Sequence, residues 1–299
     1  MSPAPTNARL LAHLAMLLFS ALIAGSFTTG ALAVPHLAPL PLNAMRFLLA
    51  TLLMGFCAFG VFRAPVKWPA SPWRFLVLGA CMAIYFVSMF MALEITRPVA
   101  TSAVYTLVPI MTAVTAFFLV GQRSGPVVLI SLALAGVGAL WVIFRGDIEA
   151  LLAFDVGRGE LIYFVGCVAY AVYTPLIRKF ARGESPLVLS FWTLAASALV
   201  ITVAGLPQFV AVDWLHLPPV VWWVLAYLAV GSTAICFFLI QFASQHLPAP
   251  KVIAYGYMTP AFVILFEGLA GHGWPTLTII VGACVTILGL AVLAMVPDA

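Results

Sequence analysis

Residues 145–160 read RGDIEALLAFDVGRGE, the longest polar stretch in a chain of 299 residues. This stretch lies at the middle of the sequence, with long apolar runs on either side. Charged residues are scarce elsewhere, since the chain has 13 Lys and Arg and 9 Asp and Glu, or 7% of its residues. An ordinary soluble domain is about a quarter charged. The composition therefore indicates a membrane protein.

The charges divide the chain into ten apolar stretches, five on each side of the polar gap. A hydrocarbon core about 30 Å thick needs about 20 apolar helical residues to cross it. Backbone polar groups cannot stay unpaired in lipid, and uninterrupted apolar runs exclude the alternating pattern of barrel strands. We therefore predict an all-α integral membrane protein. Its spans, numbered first to tenth, cover about residues 10–33, 40–62, 73–95, 98–121, 126–144, 161–181, 187–206, 219–243, 250–270 and 276–296.

Positive residues concentrate on one side of these spans. That side holds Arg9, Arg63, Lys67, Arg74, Arg123, Arg178, Lys179, Arg182 and Lys251. The other side holds Arg97, Arg145 and Arg158. Because Lys and Arg favour cytoplasmic loops, we predict cytoplasmic N- and C-termini in a bacterial inner membrane. The net charge of +4 is then a topology signal and implies no nucleic-acid partner.

The two halves of the chain, residues 1–147 and 148–299, align approximately with each other. Phe27-Thr28 falls on Tyr173-Thr174, and residues 92–109 fall on 243–260, so that a proline lies within both the fourth and the ninth spans. Five spans is an odd number, so the second half enters the membrane inverted relative to the first. Inverted repeats place a substrate site at their interface near the midplane. This plan favours a transporter with a central cavity over a membrane anchor.

Polar and aromatic side chains within the spans are the candidates for lining that cavity, because such groups usually face a bundle interior or water. In the sixth span, tyrosines and a threonine recur at helical spacing. We interpret Tyr163 as an anchor at the membrane surface. For Asn43, helix packing and substrate contact are equally compatible with its position. The candidates are Asn43, Tyr85, Ser88, Tyr105, Tyr170, Tyr173, Gln241, Tyr255 and Tyr257.

Three prolines lie well inside the fourth, sixth and ninth spans. Pro109, Pro175 and Pro260 each remove a backbone donor, so we predict bends there that serve either as gates or as static kinks.

Arg46 lies inside the second span and needs a carboxylate or carbonyl partner. Glu94 and Glu267 are the predicted partners, in a pairing that we interpret as structural. Glu94 could equally pair with Arg97, three residues on.

Enzyme signatures are missing from the sequence. The five cysteines are dispersed without Cys-x-x-Cys, and the histidines form no His-Glu-x-x-His, so we predict no metal and no cofactor. No Asp or Glu lies in the middle of a span, whereas proton relays usually need one. We therefore expect either facilitated movement of a solute down its gradient or a form of energy coupling that the sequence does not reveal, and no catalysis. A lipid-modifying enzyme with a site assembled from distant spans stays an alternative.

The chain resembles the drug/metabolite transporter superfamily, EamA type, over nearly its whole length. The resemblance is carried by PLNAMRFLLA (residues 41–50), the Ala-Leu-Glu that ends at residue 94, SAVYTLVPIMTAVTAFFLVGQR (102–123) and IAYGYMTPAFVILFEGLAG (253–271). It departs from the family where Leu-Gly-Glu is common, with Val120-Gly121-Gln122 and Ala270-Gly271-His272 instead. The Tyr-rich fourth span ending in Gln-Arg is more similar to the aromatic and broad-range amino-acid exporter branch.

The resemblance implies ten helices in two inverted repeats and an exporter of amino acids and related small metabolites. The cavity is then expected between the first, third, fourth, sixth, eighth and ninth spans. The first span lacks the glutamate on which the small multidrug relatives depend, so their proton exchange does not carry over. A multidrug or metabolite exporter is the alternative reading. Besides the small-molecule substrate and the lipid bilayer, no partner is required, since a monomer contains both repeats, although a dimer stays open.

Overall fold

The computed structural model describes residues 6–64, 68–69, 71–96, 101, 104–144, 146–153, 156–269 and 276–295, with the side chains of 6, 7, 27, 28, 31, 263, 264 and 267–269 left out. Arg97, Arg145 and the side chain of Glu267 therefore lie outside the described residues. The first five spans are helices at Thr6–Ala33, Pro39–Gly55 with a π-helical turn at Phe56–Val61, Trp73–Ile95, Val108–Val120 and Pro126–Ile143.

The second five begin with helices at Arg158–Phe180 and Pro186–Ala204. The eighth span consists of Pro219–Ala229, a π-helical turn at Val230–Ile235, and Cys236–His246. The ninth consists of Ala249–Ala254, a 3-10 turn at Tyr255–Met258, and Thr259–Leu269, and the tenth is Leu277–Met295. Short helices at Ile148–Leu152 and Leu206–Ala211 lie in the connections.

The all-α membrane fold is confirmed. Within the described residues, eight helices are long and apolar enough to cross a bilayer, and these are all the predicted spans except the fourth and ninth. Those two are interrupted, and the fourth contributes a shorter apolar helix. No strand occurs among the described residues.

Prolines mark where many of these helices begin. Pro39, Pro126, Pro186 and Pro219 each occupy the first turn of a span. A proline is tolerated there because its missing N–H would have no partner within the helix. The Ser185 hydroxyl also caps the seventh span, accepting a hydrogen bond of 3.3 Å from the Val188 N–H.

The packing of the spans follows a two-fold pattern. The third span packs on the sixth and on the seventh, and the fourth packs on the sixth. If each span is replaced by its equivalent in the other repeat, these contacts become the eighth span on the first, the eighth on the second and the ninth on the first. All three contacts are present. Equivalent spans of the two repeats also contact each other, namely the second and seventh, the fourth and ninth, and the fifth and tenth. Each of these pairs stays the same when the two repeats are exchanged. An exchange of two five-span repeats predicts this pattern.

Glycines allow the closest approaches between spans. A Cβ added at Gly79 in the third span would lie 2.6 Å from the backbone nitrogen of Ser197 in the seventh. A Cβ at Gly138 in the fifth span would lie 2.7 Å from the backbone nitrogen of Thr286 in the tenth. Without a hydrophobic force between helices in lipid, such small residues are what lets helices pack tightly.

Ionic and polar contacts join the two ends of the third and sixth spans. At one end, Arg74 donates to the carbonyl of Phe180 and to the carboxylate of Glu184. The Glu184 carboxylate also accepts a hydrogen bond of 2.6 Å from the Arg182 N–H. At the other end, the Thr96 hydroxyl donates to Glu160, whose residue is buried. The two spans are therefore antiparallel and tied at both membrane faces.

Gly79→Ala should lower the free energy of unfolding by about 1–3 kcal/mol, because the new methyl group meets backbone that cannot move aside. Gly125→Ala is the matched control, since a Cβ at Gly125 meets nothing within 4 Å. Thermal unfolding of purified protein in detergent compares the two. Equal melting temperatures for both variants would show that the third and seventh spans do not approach as closely as described.

Glu184→Gln should lower stability in a manner that depends on pH. Burial of the Glu184 carboxylate opposes its charge, but the hydrogen bonds from Arg74 and from the Arg182 backbone outweigh burial, so the pKa of Glu184 lies below its ordinary value of 4.5. A lowered folded-state pKa contributes stability above the unfolded pKa, and that contribution is lost as the pH falls through the folded value.

Melting curves of wild type and Glu184→Gln should therefore differ above about pH 5 and converge at lower pH. A difference that stays constant down to pH 3, or one that grows with acid, would contradict the role given to this carboxylate.

Candidate functional site

The interruptions of the fourth and ninth spans are set by proline. Pro109 and Pro260 are each the second residue of the helix that follows the interruption. A proline has no N–H to donate to the carbonyl four residues earlier, which belongs to Tyr105 in the fourth span and to Gly256 in the ninth. The chain turns at residues 106–107 in the fourth span and forms the 3-10 turn in the ninth. These two prolines thus lie at breaks, as the sequence predicts.

The two interruptions meet. A Cβ added at Gly256 would lie 2.7 Å from the Tyr105 hydroxyl oxygen, so the Tyr105 ring packs directly on the backbone of the broken ninth span. The first span supports the same turn, because the Ser20 hydroxyl donates to the Tyr255 carbonyl over 2.5 Å. The Tyr255 hydroxyl and His13 Nδ1 are 2.7 Å apart. Discontinuous helices that meet in this way mark the substrate site in many transporters.

Beside this crossing lies a small chamber, which we call the aromatic chamber. Its volume is about 20 Å³, room for about one water molecule. It lies among the first, third, fourth, sixth and eighth spans. Its lining consists of Phe19, Ile23, Met82, Tyr85, Phe86, Tyr105, Tyr170, Tyr173, Ser232, Cys236, Phe237 and Ile240.

Four tyrosine rings stack against one another in the lining of the aromatic chamber. The ring centroids of Tyr85 and Tyr170 are 4.5 Å apart, with the planes inclined by 22°. Tyr170 also stacks on Tyr105 at 6.3 Å and on Tyr173 at 6.2 Å. Tyr163 adds a hydrogen bond of 3.3 Å from its hydroxyl to that of Tyr85. The prediction that Tyr163 is a surface anchor is wrong, because its side chain is fully buried behind this stack.

The predicted candidates divide into three groups by position. Tyr85, Tyr105, Tyr170 and Tyr173 come together in the lining. Ser88 and Gln241 lie one layer behind it. Ser88 packs on Gly166 between the third and sixth spans and donates to the Tyr85 carbonyl over 3.0 Å. The Gln241 amide donates to the Tyr173 hydroxyl over 3.2 Å and to the Thr193 hydroxyl over 3.3 Å, so it orients a lining residue.

Three other candidates lie away from the lining. The Asn43 amide donates to the carbonyl of Pro39, one turn earlier in its own helix. Tyr257 packs with the fifth and tenth spans, and its hydroxyl is 3.1 Å from a Cβ built on Gly136. Tyr255 faces the first span. In a 3-10 turn, with about three residues per turn, side chains two residues apart point about 120° away from each other, so Tyr255 and Tyr257 face different spans.

Pro175 lies within a continuous helix and causes no interruption of the sixth span. The carbonyl that it leaves without a backbone donor is that of Ala171. Thr115 of the fourth span supplies the missing donor, with its hydroxyl 2.6 Å from the Ala171 oxygen. The sixth span is therefore joined to the fourth at the site of the proline.

Arg46 of the second span is fully buried. Its Nε donates to the Thr233 hydroxyl over 2.5 Å, and one terminal nitrogen donates to the Ser232 hydroxyl over 3.2 Å and to the Ser232 carbonyl over 3.3 Å. The guanidinium lies 4.3 Å from the centre of the Phe86 ring. The predicted pairing with Glu94 is wrong, because Glu94 is exposed and Arg46 binds the π-helical turn of the eighth span instead.

The eighth span was expected at the cavity, but the residues through which it contributes were not recognised from the sequence. Ser232, Cys236 and Phe237 line the aromatic chamber, and Thr233 holds Arg46. The available signal was the polar run Gly-Ser-Thr at 231–233 in the middle of an apolar span. Such a run is typical of places where helices contact each other or a ligand through hydroxyl groups. Met82 and Phe86 carried no signal, because apolar residues are expected throughout a span.

A second cavity of about 410 Å³ lies between the fourth, fifth and sixth spans. Its lining is almost wholly apolar, with Thr106 and Glu160 as the polar members. The sequence places Glu160 in the polar gap, but the structure places it in the first turn of the sixth span, where a carboxylate is favoured by the helix dipole. Its position is thus favoured by the helix dipole and by the hydrogen bond that it accepts from Thr96.

Comparisons with known proteins agree with this architecture. The family described as EamA-like transporter family matches residues 10–144 and again 157–295. An uncharacterized transporter of Bacillus subtilis, YyaM, is 24% identical over 282 residues, covering 93% of this chain and 92% of its own.

An uncharacterized transporter of Archaeoglobus fulgidus is 25% identical over 278 residues, covering 93% of this chain and 95% of its own. A solved crystal structure superposes with a TM-score of 0.74 at 21% identity, over 97% of this chain and 98% of that one. This likeness concerns the fold alone.

Thr115→Val should destabilise the protein by about 1–3 kcal/mol, because it leaves the Ala171 carbonyl without a donor. In Pro175→Ala the backbone N–H at 175 returns and can pair with that carbonyl. Thr115→Val should therefore have a smaller effect in the Pro175→Ala background. A double-mutant cycle on thermal stability measures this coupling, and strictly additive effects would contradict it.

Proposed function

We propose that this chain, which belongs to the EamA-like transporter family, exports amino acids and related small metabolites across a bacterial inner membrane by alternating access. The family and its relatives indicate a transporter rather than an enzyme. The choice of solute rests on the aromatic chamber, which lies beside the point where the two interrupted spans meet. Pockets for small molecules combine apolar and aromatic walls with a few convergent polar groups.

The lining favours small solutes with an apolar side chain. Tyrosine rings offer flat apolar faces for stacking, and their hydroxyls bind polar ends at a low cost in side-chain freedom. Phe19, Ile23 and Ile240 extend the apolar wall from the first and eighth spans. Amino acids with aliphatic or aromatic side chains combine these two requirements.

The closed state of the chamber supports alternating access. A volume of about 20 Å³ admits no amino acid, so the tyrosine stack has to separate during each cycle. The third and sixth spans, which carry three of the four tyrosines, are tied through Arg74 at one end and through Thr96 at the other. Release of one tie at a time would open the chamber to one face while the other stays closed.

Facilitated diffusion fits the lining residues best. The described lining is made of aromatic and aliphatic side chains with one serine and one cysteine, and it includes no Asp or Glu that could carry a proton through the cycle. Movement of the solute down its own gradient then drives export.

The orientation that we propose follows the positive residues. The N- and C-termini lie in the cytoplasm, and the two repeats, residues 1–147 and 148–299, enter the membrane with opposite orientation. The two-fold packing pattern supports this division, because each span contact described above has an equivalent contact when the two repeats are exchanged.

Purified protein in liposomes should exchange phenylalanine and leucine without a proton gradient. Tyr170→Leu should raise the half-saturation concentration for phenylalanine about two- to tenfold, the factor expected for losing one aromatic pair. Tyr257→Leu is the matched control, since it makes the same change outside the chamber. Flux equal to that of empty liposomes for every amino acid would overturn the solute class, and selective exchange of lipophilic cations would favour a multidrug exporter instead.

An epitope tag at either terminus should be accessible only from the cytoplasm, and a tag inserted within residues 145–160 only from outside. Both results follow from an odd number of spans in each repeat. Protease protection in right-side-out vesicles measures the accessibility. Termini on opposite sides of the membrane would contradict the inverted repeats.

A further inference from the structure

Arg46 is the most unusual charge in the described part of the protein. It lies seven residues after Pro39, or about 10 Å along the second span at 1.5 Å per residue. Its side chain is completely buried. A guanidinium stays protonated in proteins, so the positive charge is permanent. A permanent charge at this depth is destabilising unless an opposite charge compensates for it.

The groups that reach Arg46 offset that charge only in part, because none of them carries a negative charge. Its hydrogen-bond acceptors are the hydroxyls of Ser232 and Thr233 and one backbone carbonyl, all of them neutral. The rings of Phe47, Phe86 and Phe90 surround the guanidinium at 4.3 to 6.0 Å. The second terminal nitrogen, Nη1, is buried without a hydrogen-bond partner.

Arg46 lies directly behind the wall of the aromatic chamber. Phe86, whose ring contacts the guanidinium, and Ser232, whose hydroxyl accepts its hydrogen bond, are both lining residues. A change of the Phe86 rotamer, or a small shift of the π-helical turn at Val230–Ile235, would bring the guanidinium to the chamber surface. π-Helical turns are common at functional sites.

A purely structural role accounts for only part of this geometry. Arg46 could serve to hold the π-helical turn against the second span, and its three hydrogen bonds to Ser232 and Thr233 do so. A neutral glutamine or a water molecule could bind the same hydroxyls without placing a charge in the membrane. The charge itself and the unpartnered Nη1 stay unexplained by that role.

We propose that Arg46 binds the carboxylate of the transported solute, and that a carboxylate is therefore required for transport. This inference rests on the proposed function and narrows its substrate class to carboxylic acids, chiefly zwitterionic amino acids. The solute would supply the missing opposite charge and a bidentate acceptor for Nη1 and its neighbour. The amino group would then lie against the tyrosine rings, which attract cations through their faces.

The first experiment uses the wild-type protein in liposomes. Counterflow of phenylalanine is compared with that of phenylalanine amide, which keeps the ring and the amino group but lacks the carboxylate. Wild type should carry phenylalanine at least about tenfold faster, the factor expected when a charge-assisted hydrogen bond is lost. Equal flux of the two solutes would overturn the proposal.

The second experiment assigns that preference to Arg46. Arg46→Gln should reduce the preference for phenylalanine over its amide to near unity, whereas a structural role would lower both fluxes together. Thr233→Val is the matched control, because it removes a hydroxyl bound by Arg46 and leaves the charge. It should keep the preference even where total flux falls. An unchanged preference in monodisperse Arg46→Gln protein would overturn the proposal.

Arg46→Lys provides a second variant if Arg46→Gln does not yield folded protein. Lysine keeps the charge but loses the planar fork, so the KM for phenylalanine should rise while flux of the amide stays at its low wild-type level. An unchanged KM would contradict the proposal. Failure of the amino-acid function itself is distinguishable, because wild type would then carry neither solute.

Discussion

A bilayer offers no water to an unpaired backbone group, and this constraint shapes the whole molecule. Pro175 in the sixth span frees the carbonyl of Ala171, and Thr115 of the neighbouring fourth span supplies its donor. Where the fourth and ninth spans are fully interrupted, the broken segments meet in the interior and the first span covers them through Ser20. Irregular backbone is tolerated there because it is enclosed, and the aromatic chamber lies beside it.

The same constraint applies to side chains. The Tyr163 hydroxyl donates to that of Tyr85, and the Tyr173 hydroxyl accepts from Gln241. The buried guanidinium of Arg46 is bound to two hydroxyls of the eighth span. Several buried polar groups thus lie in or directly behind the wall of the aromatic chamber. This concentration gives a transporter a place where a polar solute can leave water without an excessive free-energy cost.

Much of the fold could be predicted from the sequence, because span length and proline position are local properties. The tyrosines of the third, fourth and sixth spans were likewise recognisable as a set. The direction in which each side chain points from its helix axis could not be predicted. The sequence therefore did not reveal that Tyr257 lies outside the chamber or that Tyr163 lies behind the tyrosine stack. The partner of Arg46 was missed since it lies 187 residues away in a turn whose π-helical geometry no local pattern reveals.

Cys236 allows the most direct test that the chamber opens to both faces, because it is a native, buried lining residue. The four other cysteines can be replaced by alanine, and a small, water-soluble, impermeant thiol reagent applied to right-side-out and to inside-out vesicles. Alternating access predicts reaction from either face, and saturating phenylalanine should slow that reaction. Reaction from one face alone, or from neither during measurable transport, would contradict it.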